Sequence, residues 1–195
     1  IGHGTRMALI ASGEILPTGV RTSQPEKHPV VAVKAFDEEG FVTAFDFGRS
    51  IEFAAAEKAR VMSLSWGSPH DSRFLKEAIG YANRLGMTVV AAAGNEPTGA
   101  AMYPAAYDTV IGVGALAPSG KRWDSSNFGD HVAVYAPGFA SYDSDNDGAY
   151  DETFAGTSVS TAFVSHLIAG LLSRRPGMTR EQVLQELTGR LPPFQ

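Results

Sequence analysis

The chain has 195 residues, 44% of them hydrophobic and 19% charged, against the roughly 25% charged share of an average globular domain. So apolar a composition fills the core of one domain and excludes intrinsic disorder. The net charge is −5 with no basic stripe, which argues against a nucleic-acid partner. No run approaches the ~20 apolar residues that cross a bilayer. The absence of cysteine excludes thiol catalysis, disulfides and cysteine-held metals.

In chain order, Gly2-His3-Gly4-Thr5 leads into a short apolar stretch, Met7 to Ala11. Val30 to Ala35 reads as a buried strand between Pro29 and the turn Asp37-Glu38-Glu39-Gly40. A helix follows from about Ala44 to Ala59, with Thr43 as N-cap. Val61 to Ser65 is strand-like and ends at Trp66-Gly67. Asp71 is expected to cap a second helix, whose stripe comprises Phe74, Leu75, Ala78, Ile79, Ala82 and Leu85, with Gly86 stopping it. Thr88–Ala93, Thr109–Ala115 and His131–Ala136 read as three more strands. Ser158 to Arg175 reads as a long apolar helix. Thr179-Arg180-Glu181-Gln182 resembles a capping box for a last helix, to about Leu191.

Strands alternating with helices imply right-handed crossovers and a mostly parallel sheet covered on both faces. The expectation is one α/β domain over residues 1–195, a three-layer αβα arrangement. In such sheets chemistry gathers at the carboxyl ends of the strands.

Three segments there have the right residue types. In Gly156-Thr157-Ser158-Val159-Ser160, a serine in the first turn of a helix has an unpaired N–H at the positive end of the dipole. That suits a nucleophile whose substrate carbonyl becomes an oxyanion; the alternative is an ordinary helix cap. Ala93-Gly94-Asn95 ends a strand with an amide able to donate to developing negative charge, or is a simple turn. His3 suits a general base, or is a terminal histidine beside two glycines.

Together, His3-Gly4-Thr5, Ala92-Ala93-Gly94-Asn95 and Gly156-Thr157-Ser158, in that order, resemble the subtilisin-like serine peptidases. Ser65-Trp66-Gly67 falls where that family has an edge pairing with substrate backbone. Tyr103-Pro104, the block Val110 to Ala115, and Ala136-Pro137-Gly138 also match, so the resemblance spans nearly the whole chain. It implies a subtilisin-like fold, His3 as general base and acid, and Ser158 as the acylated nucleophile. Asn95 and the Ser158 N–H would form the oxyanion hole. Ser65, Trp66, Gly67, Ala93 and Gly94 would bind substrate, with Trp66 narrowing a subsite. Secretion or a place in the cell envelope is implied on the same footing.

The family's catalytic Asp, about thirty residues before the histidine, has no counterpart here. In the family its strand lies between those matching Val30–Ala35 and Val61–Ser65, so two apolar edges would stand unpaired without it. The fold is therefore expected to be incomplete alone. A separate N-terminal fragment of the same precursor, left by cleavage before Ile1, is expected to complete the sheet and supply the Asp. After the serine, Ser160 and Ala162 stand where the family has Ala and Pro; both are small and compatible with a helix.

No cofactor is required by this reading. Asp143, Asp145 and Asp147, followed by Gly148, match the first half of an EF-hand-type loop, but Phe154 stands where a bidentate Glu belongs. A solvated acidic turn and a calcium site are the two readings of it. His166 is expected to be a packed helix residue. Besides the endopeptidase, two other functions fit: a pseudo-protease that binds peptide or a partner protein with little turnover, and a calcium-stabilised structural module.

Overall fold

The computed structural model describes residues 2–22, 26–143 and 152–191. Local signals place most of the helices. Helix α1 (His3–Ser12) ends where the Gly13 N–H returns to the Ile10 carbonyl. Helix α2 (Ala44–Ala56) starts at Thr43, whose hydroxyl accepts the Asp46 N–H at 3.1 Å. Helix α5 (Arg180–Arg190) carries the full capping box between Thr179 and Gln182. Helix α3 (Arg73–Arg84) corrects one expectation: its cap is Ser72, which accepts the Leu75 N–H. Asp71 sits one residue too early to reach that turn, and instead accepts the Tyr107 hydroxyl at 3.0 Å. Leu75, Ala78, Ile79 and Ala82 are buried as expected, whereas Phe74 and Leu85 at the stripe's ends are exposed.

Strands β1 (Val61–Leu64), β2 (Thr88–Ala92), β3 (Val110–Leu116) and β4 (Val134–Pro137) form one parallel sheet in the order β1-β2-β3-β4. Strands β5 (Phe139–Tyr142) and β6 (Glu152–Ala155), which the sequence pattern does not announce, form an antiparallel pair. Helix α4 (Thr157–Arg174) follows β6 directly. Alternation along the strands builds two cores. Val90, Ile111 and Val113 face α1, α4 and α5, packing with Met7, Ile10, Phe163 and Leu187. Val89, Ala91 and Val110 face α2 and α3, packing with Phe47, Ile51 and Ile79. The sheet thus lies between two helical layers.

The expected buried strand Val30–Ala35 is a correction. The segment has no β-ladder, and Val30 and Val33 are 43% and 40% exposed. A strand exists only through a hydrogen-bonded neighbour, and among the described residues nothing pairs with 30–35. Strand β1 likewise occupies the sheet's edge.

Candidate active site

The carboxyl ends of β1 and β2 and the N-terminus of α4 converge on one spot. After β2, Gly94 adopts φ 102°, a left-handed conformation that glycine reaches without a Cβ penalty. The chain turns there and carries Asn95 toward α4. The Asn95 Oδ1 accepts both the Thr157 N–H and the Thr157 hydroxyl, each at 2.9 Å. With its oxygen so engaged, the amide presents Nδ2 as a donor.

Gly156 precedes α4 with φ 157° and ψ 163°, a combination essentially restricted to glycine. A Cβ placed on it would lie 3.4 Å from Asn95 Nδ2 and 3.7 Å from the Ser158 backbone nitrogen. The two donors therefore flank a single small space. In the first turn of α4, Thr157 N–H goes to Asn95, and the Val159 and Ser160 N–H groups go to the Gly156 carbonyl at 3.0 and 3.4 Å. Among the described residues the Ser158 N–H has no acceptor. It stands free at the positive end of the helix dipole, able to hold an oxyanion beside Asn95.

Ser158 and Ser65 exchange hydrogen bonds. The Ser158 hydroxyl donates to the Ser65 carbonyl at 3.3 Å, and the Ser65 hydroxyl donates to the Ser158 carbonyl at 3.2 Å. The pair ties the end of β1 to the start of α4. His3 lies in the first turn of α1, which packs on α4. One turn further along, Arg6 pairs with Glu152 at 2.7 Å and its guanidinium lies over the Phe154 ring. The start of α1 is thereby fixed to the strand that runs into Gly156. Among the described residues the His3 imidazole has no hydrogen-bond partner. Desolvation first and the Arg6 charge second hold its pKa below the ordinary imidazole value, which favours the neutral ring that accepts a proton.

Of the other expected site residues, Ala93 is fully buried at the end of β2, its N–H on the Val113 carbonyl. Trp66 packs edge-on against Phe36 and Phe47. Ser160 is buried and satisfied, donating to the Ala136 carbonyl at 2.8 Å. His166 is buried as expected. Asp145 and Asp147 lie outside the described residues, and among those described no cluster of three or more metal-ligating side chains occurs.

Two residues were missed at the site. Thr157 locks Asn95, although it stands inside the motif that singled out Ser158. The Met102 side chain lies against both Gly67 and Gly94: a Cβ on Gly67 would meet it at 2.8 Å, and one on Gly94 at 3.2 Å. Nothing in the local sequence marks that role.

The family model described as the subtilase family matches residues 1–189. The chain is similar to subtilisin DY of Bacillus licheniformis, 33% identical over 191 residues, covering 96% of this chain and 69% of that protein. It is 32% identical over 187 residues to the minor extracellular protease Epr of Bacillus subtilis (strain 168), covering 95% of this chain and 29% of Epr. The solved structure of a cold adapted subtilisin-like serine proteinase superposes with a TM-score of 0.67 at 27% identity, over 81% of this chain and 58% of that one. The chain thus spans only part of each relative's length.

Proposed function

The chain belongs to the subtilase family, and on that premise we propose that it is a serine endopeptidase working through an acyl-enzyme on Ser158. His3 takes the Ser158 proton as Oγ attacks the scissile carbonyl carbon. Asn95 Nδ2 and the Ser158 N–H hold the oxyanion. His3 then gives the proton to the leaving amine as the C–N bond breaks, and water hydrolyses the ester. The bound peptide lies along Ser65-Trp66-Gly67 as an added strand, with Ala93 and Gly94 opposite. No cofactor enters these steps; a calcium ion on Asp143, Asp145 and Asp147 would be structural.

One observation carries the reading: Thr157 occupies the Asn95 oxygen, and the Asn95 nitrogen and the free Ser158 N–H both lie within 4 Å of one point beside Gly156. The reading also requires Ser158 to turn about χ1, away from the Ser65 carbonyl and toward the His3 imidazole.

A segment outside residues 1–195 is proposed to supply the catalytic Asp. The edge position of β1 and the segment 30–35, which has no β-ladder among the described residues, support this, because both leave backbone for an incoming strand. In a relative, loss of the Asp costs about 3 × 10⁴ in kcat. Secretion is proposed by analogy with the extracellular relative.

A fluorophosphonate probe tests the nucleophile: Ser158 should be labelled, and Ser158→Ala should abolish both labelling and peptide hydrolysis. Mass spectrometry of the native protein tests the source of the Asp: active material that contains no polypeptide beyond residues 1–195 would refute that assignment. A second reading, a peptide-binding protein with little turnover, is favoured by the Ser158 hydroxyl resting on Ser65 and by the unpartnered His3. An unlabelled Ser158 in a chain that still binds peptide would select it.

A further inference from the structure

The loop from Gly94 to Ala100 carries Asn95 but has no ladder or helix of its own, and residues 95–98 are exposed. A loop of this kind is mobile unless something ties it down. Thr157 holds Asn95 near its start, and one side chain from elsewhere in the sequence holds the backbone on both sides of it. Asn127 is 1% exposed, and its carboxamide meets the loop at both ends. Its Nδ2 donates to the Ala93 carbonyl at 3.0 Å and to the Ala100 carbonyl at 2.9 Å, and its Oδ1 accepts the Gly99 N–H at 3.0 Å. Its own backbone N–H donates to the Gly94 carbonyl at 2.9 Å. The His131 Nε2 lies 3.3 Å from the same Nδ2 and closes the far side.

The amide orientation is forced. Two carbonyls on one side require donors, and an N–H on the other requires an acceptor. No other residue type supplies both from so short a stem.

We propose that Asn127 is a positioning residue for the oxyanion hole, acting through Asn95, and the inference rests on the peptidase reading above. Thr157 fixes where the Asn95 amide points, while Asn127 fixes where the loop holds the Asn95 backbone. Catalytic geometry tolerates little looseness: misplacement by about 1 Å costs up to about 10²-fold in rate. A hole whose donor rides on a loose loop therefore loses transition-state binding while ground-state peptide binding, along Ser65–Gly67, is largely kept.

The test uses the full chain with any copurifying fragment and a tetrapeptide p-nitroanilide as substrate. Asn127→Asp keeps the shape but turns a carboxylate oxygen toward two carbonyls; Asn127→Ser keeps one donor and guards against a variant that does not fold. Asn127→Asp is expected to lower kcat about 10- to 100-fold with KM changed less than about threefold, and Asn127→Ser to lower it less. In an Asn95→Ala background the same substitutions are expected to change kcat less than about twofold, because the group they act through is gone. Equal losses in both backgrounds would show a general structural role and overturn the proposal.

Hydrogen exchange supplies a readout free of turnover. The Gly99 amide should exchange faster in both Asn127 variants while amides of β3 stay protected. Unchanged protection at Gly99 also overturns the proposal. If the unaltered chain shows neither turnover nor Ser158 labelling, the peptidase reading is what falls, and exchange at Gly99 still decides whether Asn127 holds the loop.

Discussion

The side-chain oxygen of Asn95 accepts two hydrogen bonds from Thr157, one from the backbone and one from the hydroxyl, both at 2.9 Å. A carboxamide held by one bond pivots about it; held by two from the same residue, it keeps its nitrogen aimed in one direction. Thr157→Val preserves shape and the backbone bond but deletes the hydroxyl. The loss of one neutral hydrogen bond, about 1 kcal/mol, should lower kcat roughly fivefold. Asn95→Ala should cost about 10²–10³, the loss measured for an oxyanion donor in a relative of this chain. Steady-state kinetics on the two variants checks the order: if Thr157→Val equals or exceeds Asn95→Ala, orientation of the amide is not what Thr157 supplies.

In the proposed mechanism His3 sets the acid side of the pH profile. A general base works when deprotonated, so kcat/KM rises as pH climbs through its pKa. Desolvation and Arg6 hold that pKa down, and the limb of the isolated chain should fall below about 6.5, the ordinary imidazole value. An aspartate docked against the ring would favour the charged form and move the limb up. Comparing profiles of residues 1–195 with and without the segment proposed to carry the Asp measures the direction. A limb that is the same in both would mean that this segment brings no carboxylate to His3.

A second histidine predicts a stability change. His166 lies buried on α4 with its ring centroid 5.0 Å from that of His28, and its Nδ1 has no hydrogen-bond partner. Desolvation chiefly, then the His28 charge, lower its pKa; Glu26, paired with Arg174, is the nearby carboxylate. A histidine with a lowered folded-state pKa binds fewer protons folded than unfolded, so its contribution is complete above the unfolded value and shrinks as pH falls below it. The melting temperature should therefore drop on acidification from about pH 7 to pH 5. His166→Gln should flatten that slope. A slope identical in the variant would place the acid-sensitive group elsewhere.

What could be read before any coordinates was what the chain settles locally. Thr43 and the Thr179–Gln182 box are decided within one helical turn, and both stand where the pattern put them. Strands β2 and β3 are apolar on both faces, which already requires helices above and below. Val30–Ala35 shows the limit of that logic: its side chains have strand character, but pairing is a property of two segments. The β5–β6 pair escaped for a related reason, since its strands are short and an acidic stretch separates them. At the site, sequence motifs singled out Asn95 and Ser158. The Thr157 bond to Asn95 bridges 62 residues of chain, and no local spacing encodes it. Ser72 in place of Asp71 is a smaller miss of another kind, where two adjacent capping residues competed and Tyr107 took one of them.

In the proposed cleft Met102 is expected to limit which side chains fit. Its side chain sits against both Gly67 and Gly94, the two glycines whose backbones would flank a bound side chain. Glycine at both walls leaves room that the thioether fills, so the unaltered chain should prefer small residues on the acyl side of the cut. Met102→Ala removes the obstruction. Each methylene accommodated in an apolar pocket is worth about 1–3 kcal/mol in discrimination, so kcat/KM for a substrate with Phe at that position should rise at least tenfold relative to one with Ala. Met is flexible, and it can swing aside instead of blocking. In that case the unaltered chain already accepts Phe and the ratio barely moves. Paired p-nitroanilides differing only at that residue distinguish the two outcomes, and an unchanged ratio would remove Met102 from the specificity of the site.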